Sequence, residues 1–174
     1  MITIDIVGLR EGNHPFTIEA PIQGIPHLPA EFSGSVTVQG VLQKVGRRYS
    51  IDATVTGTAH FTCDRSLEEF DEELSADLSL AYLIDPALAA EQEGKQQELD
   101  EEVVRGLREE DKRIDITEDV RQVLAVAMPL RHVAPAYRDT PLEEIHPVLN
   151  PPKQDDDQGL VDERWAALMK LKRS

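Results

Sequence analysis

The side chains able to do chemistry in this chain are few and scattered. The single thiol is Cys63, and the imidazoles are His14, His27, His60, His132 and His146. A nucleophilic thiol needs a base within hydrogen-bond reach. His60 lies three residues before Cys63 in an extended run, where positions of opposite parity point to opposite faces of a sheet. Cys63 therefore reads as a buried structural thiol, a small hydrophobe. No Cys-x-x-Cys or His-Glu-x-x-His spacing occurs, so the usual four-ligand zinc site cannot form within the chain. Asp155-Asp156-Asp157-Gln158-Gly159 lacks the glycine and the bidentate glutamate of a calcium loop. Neither Gly-x-x-x-x-Gly-Lys nor Gly-x-Gly-x-x-Gly is present to hold a phosphate. The reading is a protein that is no enzyme and uses no metal or other cofactor.

Basic groups offer a second kind of chemistry. Arg47 and Arg48 sit together in a turn, Arg65 follows a long strand, and Arg131 adjoins His132. The ordinary role of such groups is solubility; the functional one is a small anionic docking patch, for instance for RNA phosphates. With Cys63 and the only tryptophan, Trp165, these four arginines make the candidate set for RNA or partner contact.

The net charge of −15 limits what such a patch can do. Residues 1–66 carry a net of −1 and residues 121–174 a net of zero, so residues 67–120 hold −14. That middle third repels a phosphate backbone and attracts a basic partner, which excludes a nucleic-acid wrapping surface along the whole chain. Length and composition set the frame. The 174 residues, 40% hydrophobic and 29% charged, suffice for one domain with a real core. Only 5% are aromatic, so that core must be aliphatic. No apolar run spans a bilayer, and the start Met1-Ile2-Thr3-Ile4-Asp5 lacks a signal peptide's basic residues. A soluble, cytoplasmic protein without membrane contact is expected.

The elements that must position these groups are mostly strands. Tyr49, Ile51, Ala53, Val55, Gly57, Ala59 and Phe61 alternate with a threonine-rich set, the pattern of a long half-buried strand. Residues 34–42 form its partner, and Gly46 with Arg47 and Arg48 turns the chain between them, giving a long antiparallel hairpin over 34–62. Phe70, Leu74, Ala76, Leu78, Leu80, Tyr82 and Ile84 mark a third strand, with Glu73, Ser75, Asp77 and Ser79 facing away. Ile2 to Val7 and Phe16 to Ile18 are shorter strand candidates. Residues 86–113 read as an acidic, flexible insert, with Val103-Val104-Arg105 as an edge strand. A helix runs from an N-cap at Thr117 to a stop at Pro129, with Glu118 and Asp119 in its first turn. The expected architecture is α+β: an antiparallel sheet of about four to six strands around the central hairpin, one covering helix, and a short C-terminal helix. The expected organisation is one domain over 1–134, a Pro/Asp-rich linker over 135–160, and the helix over 161–174, with Val161, Trp165 and Leu168 on one side.

Cys63-Asp64-Arg65-Ser66-Leu67 resembles the Cys-x-Arg-Cys-Leu element of the YceD-type proteins, named for large ribosomal RNA subunit accumulation, with Ser66 in place of the second cysteine. The hairpin, the extended 70–84 run and the acidic insert are similar to that family's layout. So is Ile114-Asp115-Ile116 leading into a helix that ends Ala127-Met128-Pro129, like the family's Leu-Pro element. Asp162-Glu163-Arg164-Trp165 with Leu168 and Leu171 resembles its terminal Asp-Pro-Arg-x-x-x-Leu. Many members carry a cysteine cluster after the Leu-Pro element; this chain has Leu130-Arg131-His132-Val133-Ala134-Pro135. A metal site made by such cysteines cannot exist here, so either that metal is dispensable in this branch or the branch has shifted its function. The resemblance implies a non-catalytic factor for accumulation of 23S ribosomal RNA and assembly of the large ribosomal subunit. Its partner would be pre-23S rRNA or a basic large-subunit ribosomal protein, without DNA. The alternative is an acidic adaptor or chaperone-like module for such a protein without direct RNA binding.

Overall fold

The structure is a computed structural model, and it describes residues 1–92 and 104–146. The chain divides into two units, Met1–Ala134 and Pro135–Ser174.

In the first unit, period-two alternation gives the main sheet. Strands β2 (Gly12–Pro21), β3 (Phe32–Val45), β4 (Arg48–Thr62) and β5 (Glu69–Ile84) pair antiparallel in sequence order. A two-residue turn at Gly46 and Arg47 joins β3 to β4, with Gly46 at φ 59°. The register sets Ile51 opposite both Leu42 and Leu80, and Val55 opposite both Val38 and Ala76. One face of the sheet therefore carries a continuous aliphatic row. It is covered by a two-stranded ribbon, β1 (Thr3–Asp5) with β7 (Arg113–Asp115), and by helix α2 (Thr117–Ala127). Ile2, Ile4, Ile114, Ile116, Val120 and Leu124 join Val36, Val38, Leu42, Ile51, Val55 and Leu78 in one core. The mixed α+β class and the central hairpin are as the alternation implies.

Several local expectations change. Strand β2 is ten residues long, whereas β1 is three. Within 86–113 the described residues include helix α1 (Pro86–Gln92) and strand β6 (Val104–Leu107), and β7 begins at Arg113. Strand β6 joins the sheet edge parallel to β5, so the sheet is mixed rather than wholly antiparallel. Helix α1 is pressed onto β6, where a Cβ at Gly106 would lie 2.2 Å from the Ala89 nitrogen. The Gln92 side-chain amide closes that edge, donating to the Val104 carbonyl (3.0 Å) and accepting from the Gly106 N–H (2.8 Å). An amide can do this because it carries both donor and acceptor, as a strand partner does.

Thr117 is not the N-cap of α2. Ile116 holds that position, and the Asp115 carboxylate accepts from the Thr117 N–H (2.9 Å) and from its hydroxyl. The Thr117 hydroxyl oxygen in turn accepts the Ile2 N–H (2.7 Å), tying the helix to the N-terminus of the chain. At the other end Met128 turns extended (ψ 126°), as a residue before proline must. Parallel pairing sets Arg105 opposite Tyr82, and there it meets Asp119 of α2 in a buried, two-pronged ion pair at 2.8 and 2.6 Å.

The described part of the second unit holds a 3-10 turn at Pro135–Tyr137 and a one-turn helix α3 (Leu142–Ile145) where a linker was expected. The expected helix over 161–174, with Trp165, lies outside the described residues, as does Val103.

Candidate functional site

Strand parity separates the two side chains nearest in sequence to each other's chemistry. Cys63 is fully enclosed, while His60 is half exposed on the opposite face. The His60 Nδ1 lies 2.8 Å from an Asp71 oxygen and its Nε2 3.7 Å from Glu69. The Asp71 hydrogen bond, helped by both carboxylate charges, holds the His60 pKa above its ordinary value. This histidine therefore cannot serve as base to the thiol.

Cys63 instead organises a turn. Its backbone N–H donates to the Glu68 carbonyl (2.8 Å), and its own carbonyl accepts from Leu67 N–H (2.9 Å). Leu67 takes φ 62°, a left-handed conformation that costs a branched L residue about 1–2 kcal/mol, yet its side chain is 75% exposed. The Cys63 Sγ accepts N–H groups from Ser66 (3.5 Å) and Ala134 (3.4 Å). Burial pushes the thiol pKa up, but the Ser66 hydroxyl and the N–H donors of Ala134, Ser66 and Arg65 pull it further down, to about 7.

The segment that supplies Ala134 is locked to the same turn. The Asp64 N–H donates to the His132 carbonyl (2.7 Å), and the His132 N–H donates back to the Asp64 carboxylate (2.8 Å). The His132 ring stacks on Phe61 with centroids 4.2 Å apart and planes 10° from parallel, and Phe61 meets Phe70 at 5.9 Å. Protein hydrogen bonds thus clasp 63–67 to 130–134. No group of three or more His, Cys, Asp or Glu side chains able to hold a metal exists among the described residues. One thiol already accepting two N–H bonds, with Ser66 beside it, does not fit a zinc ion.

The four candidate arginines do not meet. Arg65 and Arg131 belong to the clasp. Arg47 and Arg48 lie at the far end of the fifteen-residue strand β4, roughly 50 Å of extended backbone away. Arg47 is spent locally, donating to the Ile84 carbonyl (2.9 Å) and to Glu109 (3.2 Å). Trp165 lies outside the described residues.

What the residue types alone do not reveal is the outer face of the main sheet. No described helix or ribbon covers it. Antiparallel pairing places Glu19, Asp52, Glu69, Asp71, Glu73 and Asp77 on this one face, set among Thr17, Thr37, Thr54, Thr56, Thr58 and Ser79. Against six carboxylates stand, among the described strand residues, only His60 and, at one rim, Arg48. Four of the six are legible along β5 as alternating Glu, Asp and Ser, but the pairing that adds Glu19 and Asp52 needs the register.

The family model described as "Large ribosomal RNA subunit accumulation protein YceD" matches residues 51–172, more than two thirds of the chain. The chain belongs to this family. The match starts inside β4 and includes β5, the 86–113 stretch, α2 and both halves of the clasp. This YceD-family chain is accordingly involved in large-subunit ribosomal RNA accumulation, and its family is described by that role rather than by a reaction. No curated protein and no solved structure matches the chain. No helix among the described residues is long and apolar enough to cross a membrane.

Proposed function

We propose that this YceD-family chain is a non-catalytic, cytoplasmic factor that supports 23S rRNA accumulation and large-subunit assembly by holding a basic ribosomal protein. The observation that carries this reading is the outer face with six carboxylates and no covering element among the described residues. Such a face attracts a cationic partner and steers its approach, while it repels rRNA phosphates. The separation of Arg47 and Arg48 from Arg65 and Arg131 disfavours a single RNA surface built from all four. A local RNA contact through Arg65 and Arg131 is the second reading, favoured by the backbone bonds that pair Asp64 with His132, the chain neighbours of these two arginines.

Affinity capture of the full chain from ribosome-assembling cells tests the choice. The adaptor reading expects a basic large-subunit protein in the eluate after nuclease treatment, lost when the outer-face acids are neutralised. Capture of rRNA that Arg65→Glu and Arg131→Glu abolish, with acid-to-amide changes silent, would replace it with the second reading. Normal large-subunit rRNA and normal subunit ratios in a deletion strain would remove both.

A further inference from the structure

The outer face is not flat. At Gly40 a Cβ would lie 2.3 Å from the Asp52 carbonyl oxygen and 2.5 Å from the Ala53 Cβ, so β3 and β4 close up tightly there on the core side. Two open depressions, of about 430 Å³ and 320 Å³, share Gln39 and Gly40. Together they form a groove running across strands β2 to β5. The two ends of this groove differ in chemistry. Over β2 and β3 it is uncharged, lined by Pro15 and Val41, the latter 38% exposed, with Thr17 and Gln39 beside them. Over β4 and β5 it is lined by Asp52, Thr54, Asp77 and Ser79.

The two carboxylates are held in place. Asp52 Oδ1 accepts from the Ser79 hydroxyl at 2.8 Å, and Asp77 Oδ1 accepts from the Thr54 hydroxyl at 3.1 Å. Their second oxygens have no partner among the described residues. Pro15 and Val41 leading to two oriented carboxylates, diagonal neighbours on the adjacent strands β4 and β5 and about 7–8 Å apart, match a side chain with an apolar stem and a cationic head.

We propose that this transverse groove is the docking seat for an extended, arginine-bearing segment of a basic protein. The arginine stem lies over Pro15 and Val41, and its guanidinium donates to Asp52 and Asp77. Arginine suits the seat better than lysine because a planar fork can serve two carboxylates at once. The inference rests on the adaptor reading and narrows it to one place on the face.

The test compares two variants of equal net charge in the full chain. The probe is a fluorescein-labelled nine-residue peptide of alternating arginine and serine, with binding read by anisotropy. Asp52→Asn with Asp77→Asn keeps both hydroxyl bonds and removes the groove's charge; Glu69→Gln with Glu73→Gln removes the same charge elsewhere on the face. The groove expects about a tenfold loss of affinity for the first pair, less than about twofold for the second, and weaker binding of the lysine analogue. Val41→Ser should weaken binding without changing the charge. Equal losses for the two pairs would reduce the effect to general acidity and overturn the proposal. Affinity capture from cells separates the levels. A basic ribosomal protein captured equally by the Asp52/Asp77 variant sinks the groove and leaves the adaptor reading standing; no such protein captured by the wild type sinks the adaptor reading itself.

Discussion

Replacing Asp119 by alanine leaves the Arg105 guanidinium buried without its counter-charge. The side chains of Arg105 and Asp119 are 8% and 2% exposed, and the two bonds between them measure 2.8 and 2.6 Å. Among the described residues the guanidinium's other hydrogen-bond partner is the Tyr82 hydroxyl at 3.3 Å. Burial works against the Arg105 charge, but the Asp119 bonds and charge with Tyr82 more than restore it. Tyr82 itself is pushed up to about 12, mainly by burial. Breaking one partner of such a pair costs about 3–5 kcal/mol, against a total stability of about 5–15 kcal/mol. With a urea slope of about 2 kcal/mol/M, the midpoint should fall by about 2 M. Tyr82→Phe, which removes the long bond alone, should cost about 1 kcal/mol. The decisive comparison is Arg105→Met with Asp119→Leu, which removes both charges and keeps the volume. It should recover most of the loss, because an ion pair replaced by packed apolar groups is often neutral. Equilibrium urea unfolding followed by far-ultraviolet circular dichroism reads all of these. A cost below about 1 kcal/mol for Asp119→Ala would mean that water reaches the pair and that burial does not govern its strength. A double variant as unstable as the single one would place the value in shape rather than charge.

The clasp makes a prediction with a pH sign. A thiol whose folded pKa is lowered from 9.0 to about 7 adds stability that is fully present above pH 9 and is lost as pH falls through 7. The stability gap between wild type and Cys63→Ala should therefore widen from pH 7 to pH 9 in urea titrations; a constant gap would refute the donor geometry. Because Cys63 is enclosed, Ellman's reagent should react slowly with the native protein and at once after unfolding. Leu67→Gly relieves the φ of 62° at an exposed site and should raise stability by about 0.5–1 kcal/mol, read as a shift in urea midpoint. Gly106→Ala drives a methyl into the α1 backbone and should release that helix from β6, seen as faster amide exchange over 86–92.

Period-two alternation in 49–61 and 70–84 was enough to read the hairpin, its register partner and the buried face, because a half-buried strand writes its environment into every second residue. The β6 edge could be suspected from Val104 and Arg105 but not its parallel sense. That sense depends on a crossover through α1 and on Arg105 finding Asp119, a contact between residues on different elements. Thr117 looked like a cap from its type; the preceding Asp115 outcompetes it, since both can bond the same N–H groups and only the fold frees the Thr117 hydroxyl for Ile2. The candidate arginines illustrate the same boundary. Their types suggested phosphate contact, and only the length of β4 shows that two of them stand at one end and two at the other.

The acidic excess gains its meaning from the same long strands. In sequence it is a property of residues 67–120, where a solubilising role and a binding role are equally compatible with the charge. In the fold, part of it is carried by β5 and is joined on the outer face by Glu19 from β2 and Asp52 from β4, residues from the nearly neutral first third. A solubilising surface needs only charge, spread anywhere. Here Asp52 and Asp77 are oriented by Ser79 and Thr54 beside a groove whose other end is uncharged and carries Pro15 and Val41. Solubility does not require fixed carboxylate geometry or adjoining apolar side chains such as Pro15 and Val41, whereas recognition of an arginine side chain uses both, and the equal-charge variants separate the two roles.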